Sequence, residues 1–147
     1  MKQTKIFLMA LICMMMQAIV CNADDDVVIS ASQLPAAARV FVQKTFPAKR
    51  IIFAQKDGFF RPTYDVRLDN GIEIDFDHSG VWDKVDCKHS AVPASLIPAS
   101  IANYLRANFP DAVVTKIDKE RYGYEIELSN DLELKFNKKG MLIAIDD

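Results

Sequence analysis

Glycine is scarce: five among 147 residues, with no glycine-rich run that could cradle a phosphate. Histidine is scarcer still, with only His78 and His89, and there are three cysteines. Zinc takes four ligands, or three and a water, so an intrachain zinc site would have to borrow carboxylates. No basic excess exists either. Lys and Arg total 18 against 20 Asp and Glu, a net charge of −2, which argues against a nucleic-acid partner. No polybasic segment is present to hold an anionic membrane. The one long apolar run lies at the N-terminus, from Ile6 to Val20, short of the about 20 residues a spanning helix needs.

What surrounds that run gives it a meaning. Lys2 and Lys5 precede it, and Cys21-Asn22-Ala23 and three aspartates follow it. Basic, apolar and small-residue regions in this order form a secretory signal peptide over residues 1–23, cut after Ala23. The chain is therefore expected to be exported, periplasmic or secreted. An alternative makes Cys21 a lipidated N-terminus anchored to the envelope, although Val20 is larger than the small residue usual before such a cysteine. Loss of the leader takes Lys2, Lys5, Cys13 and Cys21, leaving 16 basic against 20 acidic residues and one cysteine, Cys87. No internal disulfide can then staple the fold, so stability must come from packing.

An internal repeat organises the remainder. Leu34-Pro35 aligns with Ile97-Pro98, Phe46-Pro47 with Phe109-Pro110, Tyr64-Asp65-Val66 with Tyr124-Glu125-Ile126, Asn70 with Asn130, Glu73 with Glu133, Phe76 with Phe136, Gly80 with Gly140 and Asp86 with Asp146. Turn residues, core residues and order agree, which predicts one unit over 24–88 and a second over 89–147. Leu34, Ala38, Phe41 and Val42 share a helical face, as do Ile97, Ile101, Tyr104 and Leu105. Ser32 and Ser95 are expected to cap these helices, and Pro47 and Pro110 to stop them. Alternating runs then predict four strands per unit, with hairpins at Asp69-Asn70-Gly71 and His78-Ser79-Gly80 and their counterparts. Phe46, Phe76, Phe109 and Phe136 are expected in the core. Val66, Leu68, Ile72, Ile74 and Phe76 form an inner face, leaving Asp65, Arg67, Glu73 and Asp75 toward water or a partner.

The Leu-Pro helix, the Phe-Pro stop, the Tyr-x-Val-x-Leu strand, the Asn-Gly hairpin and the Phe-Asp-x-x-Gly-x-Trp segment resemble the PepSY-like periplasmic domains. That group is similar in fold to the bacterial beta-lactamase inhibitory protein. The resemblance implies an α+β fold, a single eight-stranded antiparallel sheet from two tandem helix-plus-four-strand units, with both helices on one side and an open concave face on the other. Hydrolase inhibition is an idea attached to the family. The inhibitory protein has disulfides and this chain has none, so that activity is not carried over.

Three sets of residues invite chemical readings. Asp75, Asp77 and Asp86 match the ligand spacing of an EF-hand calcium loop. The segment lies between strand patterns instead of helices, and its counterpart reads Lys135-Phe136-Asn137-Lys138, which favours a hairpin turn. Cys87 and His89 alternate along a strand and could approach as nucleophile and base, but nothing completes a triad. Asp65, Glu73 and Asp75 could pair for acid–base work, yet a solvated sheet face explains them more simply. The insertion Gly58-Phe59-Phe60-Arg61-Pro62, absent from the second unit, is not required by the common fold. Trp82 is expected to share a face with Lys84. Phe59, Phe60, Arg67, Glu73, Asp75, Trp82 and Lys84 are thus the candidate protein-binding residues, since aromatic and arginine side chains dominate interface hot spots. The expected function is a non-enzymatic binding module for a protein partner, with an inhibitor of an envelope hydrolase as its sharpest form. No cofactor is expected. The alternative is a ligand or ion sensor with a weak calcium site at Asp75 and Asp77.

Overall fold

A computed structural model describes residues 26–147; the leader, its cleavage point and Cys21 lie outside the described residues. The elements run β1 (Val27–Val28), α1 (Ala36–Thr45), β2 (Ile51–Asp57), β3 (Thr63–Leu68), β4 (Glu73–Phe76), β5 (Trp82–Asp86), α2 (Ala99–Asn108), β6 (Val114–Lys119), β7 (Gly123–Leu128), β8 (Glu133–Asn137) and β9 (Leu142–Asp146). The nine strands form one open sheet in sequence order, every neighbour antiparallel. The sheet thus has a strand more than the eight expected. β1 is two exposed valines paired to Lys56 and Gln55, too short to show any alternation in the sequence.

Side chains directly opposite one another in a sheet share a face. Ala54, Val66, Ile74, Val85, Ile117, Ile126 and Leu134 form one such unbroken row, and all are buried. Both helices lie on this side. Phe41 of α1 meets Phe76 edge-on at 5.7 Å, and Tyr104 of α2 meets Phe136 at 5.5 Å. Phe76 and Phe136 are fully buried. The turn glycines come close to the helix starts: at Gly80, φ is +83° and a β-carbon would lie 2.8 Å from Pro35 and 2.9 Å from the Ala38 amide. At Gly140 it would strike Ser100.

Ser32 and Ser95 do not cap the helices. They lie in short 3-10 turns, Ala31–Gln33 and Ala94–Leu96, and the N-caps are Pro35 and Pro98. A residue before proline is driven into extended backbone, so Leu34 (ψ 149°) and Ile97 (ψ 121°) separate each serine from its helix. Both helices stop as expected, before Phe46-Pro47 and Phe109-Pro110. Phe46 is buried, whereas Phe109 is only half-buried. It leans on Tyr104 at 6.4 Å and keeps an edge toward a shallow hollow beside Asn108 and Pro110.

A second departure matters more for function. β4 and β5 change register between Asp75 and Phe76: Phe76 pairs Trp82, but Asp75 pairs Lys84. The extra residue, Asp83, is a β-bulge, which turns the side chains before and after it to opposite faces. Trp82 therefore does not share a face with Lys84. It stands on the helix side, stacked 6.1 Å from Phe41. β8 and β9 change register at the corresponding place, between Lys135 and Phe136.

Candidate functional site

The side of the sheet away from the helices carries two transverse rows of polar side chains. One runs Gln55, Asp65, Asp75, Lys84, Asp118, Glu125, Lys135. The other runs Phe53, Arg67, Glu73, Asp86, Lys116, Glu127, Glu133, Asp146. Together they hold nine carboxylates against four basic groups. Strand alternation gives the face its position, because the same strands send Val66, Ile74, Ile117 and Ile126 into the core.

Lysines tie much of this charge together. Lys88 Nζ lies 2.8 Å from both Glu73 Oε2 and Asp86 Oδ2. Its backbone has φ +58°, uncommon for a lysine, and its amide donates to Asp86 Oδ1 at 2.8 Å. The Lys88 hydrogen bond holds the Glu73 carboxyl below its usual range; at Asp86 burial pushes upward, but the Lys88 contacts outweigh it. Lys135 Nζ reaches Asp146 at 2.8 Å, Glu133 at 3.1 Å and Glu125 at 3.9 Å. Lys116 lies 3.0 Å from Asp118 and 4.0 Å from Glu127. Arg67 bridges to Glu73 at 3.1 Å and lies over the Phe53 ring.

Asp65 stands apart. It faces Asp75 directly across β3 and β4. Asp75 has Lys84 at 3.3 Å, and no ion pair reaches Asp65 among the described residues. Burial raises the Asp65 pKa, and Asp75 and Asp57 add to the rise. Phe53, Gln55, Asp65, Arg67, Glu73, Asp75 and Lys84 surround a hollow of about 360 Å³ at this end of the face. Phe59 and Phe60 lie in the β2–β3 loop, 76% and 92% exposed, with their rings edge-on at 5.1 Å. Arg61 of that loop approaches His78 of the β4–β5 turn at 3.4 Å.

Of the sequence-predicted residues, Arg67, Glu73, Asp75 and Lys84 come together on this face, with Phe59 and Phe60 at its end. Trp82 does not. Sequence reasoning did not assign Asp86, Lys88, Lys116, Glu125, Glu127, Glu133 and Lys135 to this face. The signal was present in the repeat alignment, which places Glu125 at Asp65, Glu127 at Arg67, Glu133 at Glu73 and Lys135 at Asp75.

The chemical readings take definite shape. Cys87 and His89 do not meet: β5 ends at Asp86, the chain turns through Lys88, and Cys87 is buried while His89 is exposed. Burial, then Asp86, pushes the Cys87 thiol up to about 11, the opposite of an activated nucleophile. Asp77 closes its turn: Oδ1 accepts from the Ser79 amide at 2.8 Å, the Ser79 hydroxyl at 2.6 Å and the Val81 amide at 2.9 Å. Asn137 does the same for Lys139 and Met141 at 2.9 and 3.0 Å. Among the described residues no three His, Cys, Asp or Glu side chains converge to hold a metal ion. No described helix is long and apolar enough to cross a membrane.

Known proteins resemble this chain in sequence and in fold. No curated protein matches it significantly. A periplasmic protein of the DUF2874 family from Bacteroides vulgatus is 40% identical, covering 85% of this chain and 99% of its own, with a TM-score of 0.80. A second periplasmic protein from the same organism, of unknown function, is 35% identical, covering 83% and 99%, also at 0.80. A Bacteroides thetaiotaomicron protein, described as a "putative calcium-regulated periplasmic protein", is 42% identical, covering 85% and 99%, again at 0.80. The family model described as "Putative beta-lactamase-inhibitor-like, PepSY-like" matches residues 62–144, from just before β3 into β9. Agreement in sequence, length and sheet therefore places the chain in the PepSY-like family, whose solved relatives are described as periplasmic proteins.

Proposed function

We propose that the chain is an exported, non-enzymatic module that binds a protein partner on its open sheet face. Residues 1–23 are its signal peptide, with lipidation at Cys21 as the alternative, and the compartment is the periplasm of its relatives. Residues 24–88 and 89–147 are two copies of one helix-plus-four-strand unit, β1 being an addition to the first. One observation carries the binding reading. Aligned core positions keep their character, Phe76 with Phe136 and Ile74 with Leu134, both pairs fully buried. On the open face two aligned positions reverse their charge, Arg67 with Glu127 and Asp75 with Lys135, while Asp65 with Glu125, Glu73 with Glu133 and Asp86 with Asp146 stay acidic. Charge reversal on one face over a preserved core fits a surface whose pattern is set by what it meets and not by folding. Inhibition of an envelope hydrolase is one form such binding would take.

The test is a photo-crosslinking side chain placed at Lys84 or Gln55 on the open face, and at Arg39 on the helix side, in living cells. Discrete adducts from the open-face positions alone are expected. Adducts of equal yield from Arg39, or none from the open face, defeat the proposal.

A second reading, calcium-responsive sensing, is favoured by one relative: the 42% identical Bacteroides thetaiotaomicron protein is described as calcium-regulated. The acidic turn at Asp75 and Asp77 would be its site. Against it, Asp77 Oδ1 is engaged by its own turn and Asp75 by Lys84. Melting with calcium and with chelator decides between the two.

A further inference from the structure

We infer that the partner docks at the end of the open face between Phe59, Phe60 and the Asp65–Asp75 pair, and that it presents there a lysine or arginine beside an apolar side chain. This rests on the open face being a protein-docking surface and names what that surface takes.

Like charges directly opposite one another destabilise a sheet. The open face contains several such pairs, and lysines answer the others. Lys88 bridges Glu73 and Asp86; Lys135 bridges Glu133 and Asp146; Lys116 and Lys135 serve Asp118 and Glu125 separately. At Asp65–Asp75 the one ammonium, from Lys84, reaches only Asp75. The architecture does not demand this repulsion. The same place in β7 and β8 holds Glu125 opposite Lys135, an attractive pair. Asp65 therefore keeps a carboxylate that no cation meets at ion-pair distance among the described residues; burial, then Asp75 and Asp57, raise its pKa, and Lys84 offsets this only in part.

The aromatic pair adds the apolar half. The last β2–β3 pair is Asp57 and Thr63, and Asp65 lies two residues on, about 7 Å along the strand. Phe59 and Phe60 thus project from the loop at the end of the sheet where Asp65 sits. Gly58 starts that loop at φ +82°. The β6–β7 turn is tight, with Glu120 and Gly123 exchanging backbone hydrogen bonds, and carries no such pair. Two exposed phenylalanines cost solubility without serving the core, which marks a contact surface. A lysine or arginine has an apolar stem and a charged head. Its stem would lie against the phenylalanine rings while its head enters between Asp65 and Asp75. A divalent metal is a poorer occupant, since two carboxylates beside an ammonium fall well short of six oxygen ligands.

The test uses two labelled synthetic peptides, one alternating leucine and lysine and one alternating leucine and glutamate, with binding read by fluorescence anisotropy. The leucine–lysine peptide should bind, more weakly as salt rises. Asp65→Asn and Phe60→Ser should each weaken it, by about tenfold for the aromatic change. Asp131→Asn, in the turn at the opposite end of the sheet, should leave it unchanged. Melting curves confirm that each variant is folded. Equal binding by Asp65→Asn and the parent protein overturns the inference. Binding of the leucine–glutamate peptide in its place overturns the cationic occupant while leaving the docking face. Binding of neither peptide overturns both.

Discussion

Lys119 places its ammonium 3.6 Å from the centre of the Trp82 ring and donates a 2.8 Å hydrogen bond to the Trp82 carbonyl. One residue belongs to β5 and the other to β6, the two strands that flank α2 in the chain. The contact thus clasps the sheet where its two halves meet. Burial lowers the Lys119 pKa although Asp83 and Asp77 pull upward; the ring face and the carbonyl are the ammonium's direct contacts. Lys119→Met should cost about 1 kcal/mol. Trp82 is the only tryptophan, so its emission reports the surroundings of this one ring, with Lys119 and Phe41 against it. A shifted emission maximum with a lowered Tm is expected; an unchanged spectrum would mean that the contact does not persist in solution.

The core prediction concerns Phe76 and Phe136, both fully buried, each beneath an aromatic of the overlying helix. Phe76→Ala and Phe136→Ala should each cost about 3–5 kcal/mol by denaturant unfolding. Phe109→Ala should cost less than Phe46→Ala, because Phe109 already keeps part of its ring in water. Equal losses at Phe46 and Phe109 would contradict the observed packing.

Much of this fold was legible because its signals are local. Strand alternation named the inner face from Val66 to Phe76, and Pro47 and Pro110 marked the helix ends. What escaped is what alternation cannot carry. β1 is two residues long. The bulge at Asp83 depends on how β5 meets β4, a tertiary choice that reversed the side on which Trp82 stands. The helix caps failed because proline acts on the residue before it, which separated Ser32 and Ser95 from their helices. On the open face the first-unit residues were found singly. The lysine bridges were not, since Lys88 and Lys135 meet carboxylates from other strands.

Asp65 makes a signed prediction. Its pKa is raised in the folded protein, so its charge opposes folding above that value. As pH falls through the folded pKa toward the ordinary carboxylate value, the penalty disappears. Asp65→Asn should therefore stabilise the protein at pH 7 by about a few tenths of a kcal/mol, given its exposure. At a pH below the ordinary carboxylate range, parent and variant should melt together. A stabilisation that persists in acid would point to a cause other than charge.

Cys87 is buried, with its thiol pushed up to about 11 by burial and by Asp86. Thiolate is the reactive form, so a thiol reagent at pH 7–8 should label it only as fast as the protein opens. Denaturant should raise the rate sharply, and the labelling rate should follow unfolding across the transition. Rapid labelling of the folded protein would place the sulfur near the surface and reopen a chemical role for it.

The Asp77 turn decides the calcium question. Its carboxylate pKa is lowered: burial pushes it up, and hydrogen bonds from Ser79 and the Val81 amide more than reverse this. A lowered carboxylate contributes stability above its unfolded pKa and loses it as pH falls through the folded value. Asn137 makes the two equivalent backbone bonds without a charge, so Asp77→Asn should change stability by less than about 0.5 kcal/mol at pH 7 and remove this acid sensitivity. Asp77→Ala leaves the two amides without their acceptor and should cost about 1 kcal/mol or more. Calcium at micromolar concentrations should leave the Tm of the parent protein and of Asp77→Asn alike unchanged. A calcium-dependent rise in Tm that Asp77→Asn abolishes would instead make the turn an ion site, because asparagine preserves the turn and removes only the charge a cation would need.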